Sequence, residues 1–238
     1  MPFDAQVTPG PPLRPLTSDD TGDRVPVGPG RVAVIAGAAL LAGGASVGLA
    51  LTLEPHGFVQ SIDDSWASSM TGGQGGPLTL LAVMVEGGFG GPAGLVAWGV
   101  LAGWLAAIGR RWSALCALSG AVASNILLLP VKTVVDRPRP DEPLVLVSGA
   151  SFPSAHACSA AALTVLVGVL VFRGRGRRLW WPVGCLATVL DMWSATWLQA
   201  NWLSDVVAGA CFGAGAALLL WWAFARPLLR EDARPAQA

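Results

Sequence analysis

Residues 32–53, VAVIAGAALLAGGASVGLALTL, form an apolar run without a single charge. About 20 helical residues cross the hydrocarbon core of a bilayer, so this stretch predicts a spanning helix. It lacks a short apolar core followed by a convincing small-residue cleavage site, and it is therefore expected to be a retained first span rather than a signal peptide. The rest of the chain has the same character: of 238 residues, 53% are apolar and 13% charged, against roughly 25% charged in an average soluble domain. Fifteen basic residues balance fifteen acidic ones, which argues for neither nucleic acid nor an acidic partner.

Outward from this run, Met1 to Gly30 is polar, rich in Pro and Gly, and without apolar periodicity, so a disordered tail is expected there. A second apolar stretch, Leu78 to Ile108, is too long for one untilted span and is broken by Glu86-Gly-Gly-Phe-Gly-Gly-Pro92. It is expected to divide into a lead-in segment at the membrane surface and a span from about Gly88. Four more spans are expected near Trp112–Val135, Ala155–Phe172, Leu179–Leu198 and Leu203–Phe224. The predicted fold is an all-α polytopic membrane protein of six helices, with a tail over 1–30, a membrane domain over 31–225 and a C-terminal tail over 226–238. Cys116, Cys158, Cys185 and Cys211 lie in apolar runs with no CxxC spacing and read as small buried hydrophobes.

Basic residues are retained on the cytoplasmic side of a membrane, and twelve of the fifteen fall in four segments. These are the N-terminal tail, the connection at Arg110 and Arg111, the connection from Arg173 to Arg178, and the C-terminus. Both termini are thus expected to be cytoplasmic, with the first, third and fifth connections facing outward. Trp112, Trp180, Trp181, Trp221 and Trp222 near one set of span ends, and Trp66, Trp197 and Trp202 near the other, agree with interfacial aromatic belts.

The three basic residues left over, Lys132, Arg137 and Arg139, cluster at one expected outer boundary. Snorkelling to lipid head groups would account for them. So would an anion site, since fixed guanidinium and ammonium groups hold phosphate well near a low-dielectric boundary. The same connection ends at Phe152-Pro153-Ser154-Ala155-His156, where a helix start supplies unpaired N–H groups, Ser154 a hydroxyl and His156 a proton carrier. A lone histidine at a helix start is more often a cap; sharing a connection with three cations favours the anion site. Asp191, an acid inside an apolar run, reads equally as a functional group and as an interfacial or hydrogen-bonded side chain. In the first connection, His56 to Gly76, the residues Asp63, Asp64 and Trp66 suggest an amphipathic segment lying on the surface, and this part of the chain is the one expected to shape head-group access.

Lys132, six intervening residues and Arg139-Pro140 resemble the first motif of the type 2 phosphatidic acid phosphatase (PAP2) superfamily, and Pro153-Ser154-Ala155-His156 resembles its second. The third motif of that family is Ser-Arg, five residues, His, three residues, Asp. Counting from Ser194 places Ala195 at the Arg position, Asn201 at the His position and Asp205 in register. The resemblance implies a six-helix bundle, no cofactor, no metal, and a lipid phosphate or diphosphate ligand of the polyprenyl or glycerolipid class amid membrane lipids. It implies phosphate contacts from Lys132, Arg139, Ser154 and the Ala155 backbone N–H, with His156 as proton donor and Asp205 as the partner of the nucleophile.

The two departures bear on mechanism. An amide nitrogen has no available lone pair, so Asn201 cannot replace a nucleophilic histidine. Loss of the nucleophile costs on the order of 10⁶ in turnover in a covalent hydrolase. Ala195 removes one phosphate clamp. Asn201 and Asp205, four apart, are expected to share a helix face and hydrogen-bond. Three readings follow: a binding protein for lipid phosphate that lacks phosphohistidine chemistry, a phosphatase in which His156 activates water, and a scaffold that would work through a protein partner or an oligomer.

Overall fold

In a computed structural model the described residues are 30–233 apart from 72, 73, 90 and 127, so the expected N-terminal tail and the last five residues lie outside them. Among the described residues the secondary structure is entirely helical: α1 (Arg31–Leu53), α2 (Phe58–Thr71), α3 (Pro77–Phe89), α4 (Gly91–Ala107), α5 (Arg111–Ile126), α6 (Leu128–Val135), α7 (Ala155–Leu170), α8 (Gly174–Trp197), α9 (Leu203–Ala223) and α10 (Ala225–Asp232). At about 1.5 Å per residue, α1 is about 35 Å long, enough to cross a bilayer.

Among the described residues, α1, the α5–α6 pair and α9 are long and apolar enough to span, and α3 with α4 forms a fourth candidate bent by 47°. The break falls where the glycine-rich segment after Glu86 was expected to interrupt the run. The apolar helix α7 is shorter, with 16 residues. The outward faces of these helices carry Val32, Ile35, Leu49, Leu95, Val100, Leu118, Val122, Val183 and Leu186, all exposed. A surface so extensively apolar suits lipid rather than water. The chain is an integral membrane protein.

Helix α7 sits at the centre, buried along most of its length from Ala157 to Leu170. Its neighbour α9 approaches closely because Gly209 and Gly213 lack a side chain: a Cβ at Gly213 would lie 1.9 Å from the Cys158 carbonyl oxygen, and one at Gly209 2.3 Å from that of Ser154. Small residues of this kind let membrane helices come into backbone contact. On the other side of α9, α1 packs through Gly37, Gly44 and Gly48, which face Gly215, Phe212 and Phe152. The apolar core of Trp98, Leu105, Cys116, Leu166 and Leu170 joins α4, α5 and α7. Cys158 is also buried, whereas Cys185 is exposed on α8, contrary to expectation. That helix is Arg-rich at its start and through its middle buries only one face, at Gly184, Thr188 and Asp191.

The two ends of the bundle are built differently. At one end α10, within the region expected as a tail, folds back so that Glu231 accepts hydrogen bonds from the Trp112 and Ser113 N–H groups at the start of α5. Arg110 pairs with Asp232 at 3.1 Å, and Arg173 reaches the same carboxylate. At the other end, the loop from 136 to 154 lies between α6 and α7 and is fastened to the end of α8 by the Leu144 N–H, which donates to the Leu198 carbonyl.

Candidate functional site

The loop from 136 to 154, the starts of α7 and α9, and the end of α8 converge at this second end. Lys132, in the last turn of α6, donates through Nζ to the Ala150 carbonyl at 2.9 Å. Arg139 spreads its guanidinium over the carbonyls of Gly149 (3.1 Å), Ala200 (2.5 Å) and Ser148 (3.0 Å). Burial lowers the Arg139 pKa from its ordinary value, while Asp205 and Glu86 act to raise it. The two cations thus bracket one stretch of loop backbone.

Ser154 caps α7, its Oγ accepting from the Ala157 N–H, and its own N–H donates to the Asp205 carbonyl. Ala155 opens the helix, and its N–H belongs to the first turn, where no intrahelical acceptor exists. His156 follows, with Nδ1 2.6 Å from Glu86 Oε1 on α3. Glu86 Oε2 also accepts a 3.3 Å hydrogen bond from Ser194 Oγ. Lys132, Arg139, Ser154, Ala155 and His156 therefore lie at one end of the bundle.

The third segment differs from expectation. Asn201 lies ahead of α9, not within it, and its Nδ2 donates to the Ser151 carbonyl at 2.8 Å. Asp205 is three residues into that helix, where one oxygen accepts from the Trp202 N–H and the other meets Arg137 Nη1 at 2.7 Å. The expected Asn201–Asp205 hydrogen bond does not form, because the helix starts only at Leu203 and the two side chains find different partners. Ala195 is fully buried against Ala157 and Val206.

Arg137 holds a second network that sequence reasoning did not resolve. Its Nη2 reaches Asp63 Oδ2 at 2.6 Å and Gln60 Oε1 at 2.5 Å, and its Nη1 also donates to Ser204 Oγ at 2.8 Å. The Asp63 carboxylate further accepts from the Ser204 N–H and hydroxyl. Asp63 is 1% exposed, so the reading of its segment as lying on the surface is corrected for this residue: α2 turns one acid inward to meet a buried guanidinium, while Asp64 is exposed and accepts from Gln60 Nε2. The Trp202 ring lies 5.2 Å from the Arg137 guanidinium carbon. Of the three clustered cations, then, Arg137 is committed to two carboxylates and is structural, while Lys132 and Arg139 touch only neutral carbonyls.

Asp191 is fully buried, and neither of its carboxylate oxygens has a hydrogen-bond partner. It lies within electrostatic reach of Glu86 and His156. Glu86 was legible in the sequence only as an acid in an apolar run, the same signal that singled out Asp191. Among the described residues no group of three or more His, Cys, Asp or Glu side chains is arranged to hold a metal ion.

This geometry has relatives. Residues 111–228 match the model of the PAP2 superfamily. The chain is 36% identical over 126 residues to the decaprenylphosphoryl-5-phosphoribose phosphatase of Mycobacterium tuberculosis, in each of two strains, covering 50% of this chain and 67% of the relative. Its fold resembles the crystal structure of a transmembrane PAP2 type phosphatidylglycerolphosphate phosphatase from Bacillus subtilis, with a TM-score of 0.69 and 22% identity over 77% of this chain and 93% of that one.

Proposed function

The chain belongs to the PAP2 superfamily, and from that premise we propose that it binds a lipid phosphate or diphosphate at an outward-facing site without forming a phosphohistidine. Lys132, Arg139, Ser154 and the Ala155 N–H contact the phosphoryl oxygens, and His156 lies beside them. The observation that carries this reading is Asn201, an amide at the nucleophile's place in the third motif, hydrogen-bonded to the Ser151 carbonyl. Asp205, which would orient a nucleophile there, is engaged by Arg137 and the Trp202 N–H. A polyprenyl phosphate is the favoured ligand class, supported by the name of the mycobacterial relative. Six spans with both termini cytoplasmic complete the proposal.

The test is phosphate release by the purified protein from a panel of polyprenyl and glycerolipid phosphates, beside Asn201→His and the Asn201→His, Ala195→Arg pair. The single change is needed because Ala195 is fully buried, and an arginine there must find room. Silence of the natural sequence with turnover in either revertant is the expected result. Turnover by the natural sequence would refute it.

One observation favours a second reading, in which the protein is a phosphatase that activates water through His156. Glu86 meets His156 Nδ1 at 2.6 Å, an arrangement in which a carboxylate orients an imidazole and stabilises its protonated form. This mechanism requires that His156→Ala abolish turnover.

A further inference from the structure

We propose that the buried carboxyl of Asp191, beside the Glu86–His156 pair, is a proton-binding site that is filled when a lipid phosphate binds at Lys132 and Arg139, so that ligand binding and proton uptake are linked. The inference rests on the binding function proposed above. It assigns a role to an acid, Asp191, that belongs to none of the three motifs.

The first observation is the state of Asp191. Its carboxyl is fully buried on α8 with both oxygens lacking a hydrogen-bond partner. An ionised carboxylate in such a place is an uncompensated charge, which is strongly disfavoured, whereas a bound proton removes the charge. The second observation is the company it keeps. Glu86 on α3 meets His156 on α7, and on α8 Ser194 Oγ donates to the Asp191 carbonyl at 2.8 Å and lies 3.3 Å from Glu86 Oε2. Asp191 is thus within electrostatic reach of that pair.

The charges facing this cluster decide the direction of the linkage. Arg139 lies within electrostatic reach of both His156 and Glu86, and Lys132 within reach of Arg139 and Asp205. Arg137 does not help to balance the cluster, because Asp63 and Asp205 already engage it from α2 and α9. An ionised Asp191 offsets part of the positive charge of Lys132 and Arg139, and an arriving phosphate meets less attraction. A proton on Asp191 restores that attraction, and by reciprocity a bound phosphate draws a proton onto it. Affinity therefore falls as pH rises through the range in which Asp191 loses its proton. The second ionisation of a phosphate monoester has the opposite effect at a cationic site, strengthening binding as pH rises.

The experiment uses the purified full-length chain in detergent and farnesyl phosphate as the probe. Calorimetric titration at one pH in two buffers of different ionisation enthalpy gives the protons taken up per ligand bound, for the natural sequence, Asp191→Asn, Asp191→Leu and Lys132→Ala. The expected result is greater proton uptake by the natural sequence than by Asp191→Asn, since the ligand's own ionisation is common to both. As pH rises the natural protein should lose affinity faster than Asp191→Asn, by up to about tenfold per pH unit, the slope of one linked proton. If Asp191→Asn does not survive purification, Asp191→Leu supplies the same comparison, and it too should take up less. Equal uptake by the natural sequence and a folded Asp191 variant overturns the inference while leaving lipid phosphate binding intact. Failure of the natural sequence to bind farnesyl phosphate, or binding unaffected by Lys132→Ala, removes the anion site on which the inference stands.

Discussion

Replacing Asp63 by alanine tests whether the Arg137 network holds the helices together at the site end. The Asp63 carboxylate accepts from Arg137 Nη2 at 2.6 Å, from Ser204 Oγ at 2.6 Å and from the Ser204 N–H at 2.8 Å. The side chains of Asp63 and Arg137 are 0% and 6% exposed, so solvent does not replace what is lost. Breaking a buried ion pair by removing one partner costs about 3–5 kcal/mol. Arg137 keeps Asp205 at 2.7 Å, which places the expectation at the lower end, about 3 kcal/mol. At about 2–4 °C per kcal/mol for a chain of this size, the midpoint of thermal unfolding in detergent should fall by about 6–12 °C. Asp63→Asn separates charge from shape: it keeps an acceptor for Ser204 and removes the charge, so it should fall between the natural protein and the alanine variant. The double change Asp63→Leu, Arg137→Met should recover nothing, because it leaves the buried Asp205 without its cation. A shift of less than about 1 °C in Asp63→Ala would refute the reasoning, since a buried acid with three donors would then contribute nothing measurable.

Arg139→Ala should weaken binding of a lipid phosphate by about 10–100-fold, the equivalent of one charged hydrogen-bonding group worth about 1.5–3 kcal/mol, as read by titration with farnesyl phosphate. Arg137→Ala, by contrast, should show first as a lowered unfolding midpoint, because its guanidinium is spent on Asp63 and Asp205. At the opposite end, Glu231→Ala removes the carboxylate that accepts from the Trp112 and Ser113 N–H groups. It should cost about 0.5–2 kcal/mol, the range for losing a helix N-terminal cap, measured by denaturant unfolding, with no effect on ligand affinity.

Much of this molecule was legible before its structure. An uncharged run at 32–53, the repetition of such runs and the placement of arginine between them specify a helical membrane protein, because burial in lipid constrains every residue along a span and so leaves a local trace. The spacing of Lys132, Arg139, Ser154, His156 and Asp205 placed one end of the bundle, since these residues sit at helix boundaries that hydropathy already marked. Sequence order also placed Ala195 and Asn201, whose chemistry follows from residue type alone.

The partners were not legible. Arg137 and Arg139 are two residues apart and chemically alike, yet one meets Asp63 and Asp205 and the other only backbone carbonyls. Asp63 belongs to an amphipathic helix whose pattern suggests a surface, and only the approach of α9 shows that it faces inward. Asn201 and Asp205 have helical spacing, but the helix begins between them. Glu86 meets His156 across 70 residues of sequence, and Asp191 stands near both with no hydrogen-bond partner of its own. Membership of an apolar span is decided by each residue's own transfer free energy, which composition records. Which acid meets which base depends on how helices distant in sequence are rotated and packed, and the glycines at 209 and 213 that set the α7–α9 approach act only once both helices are in place.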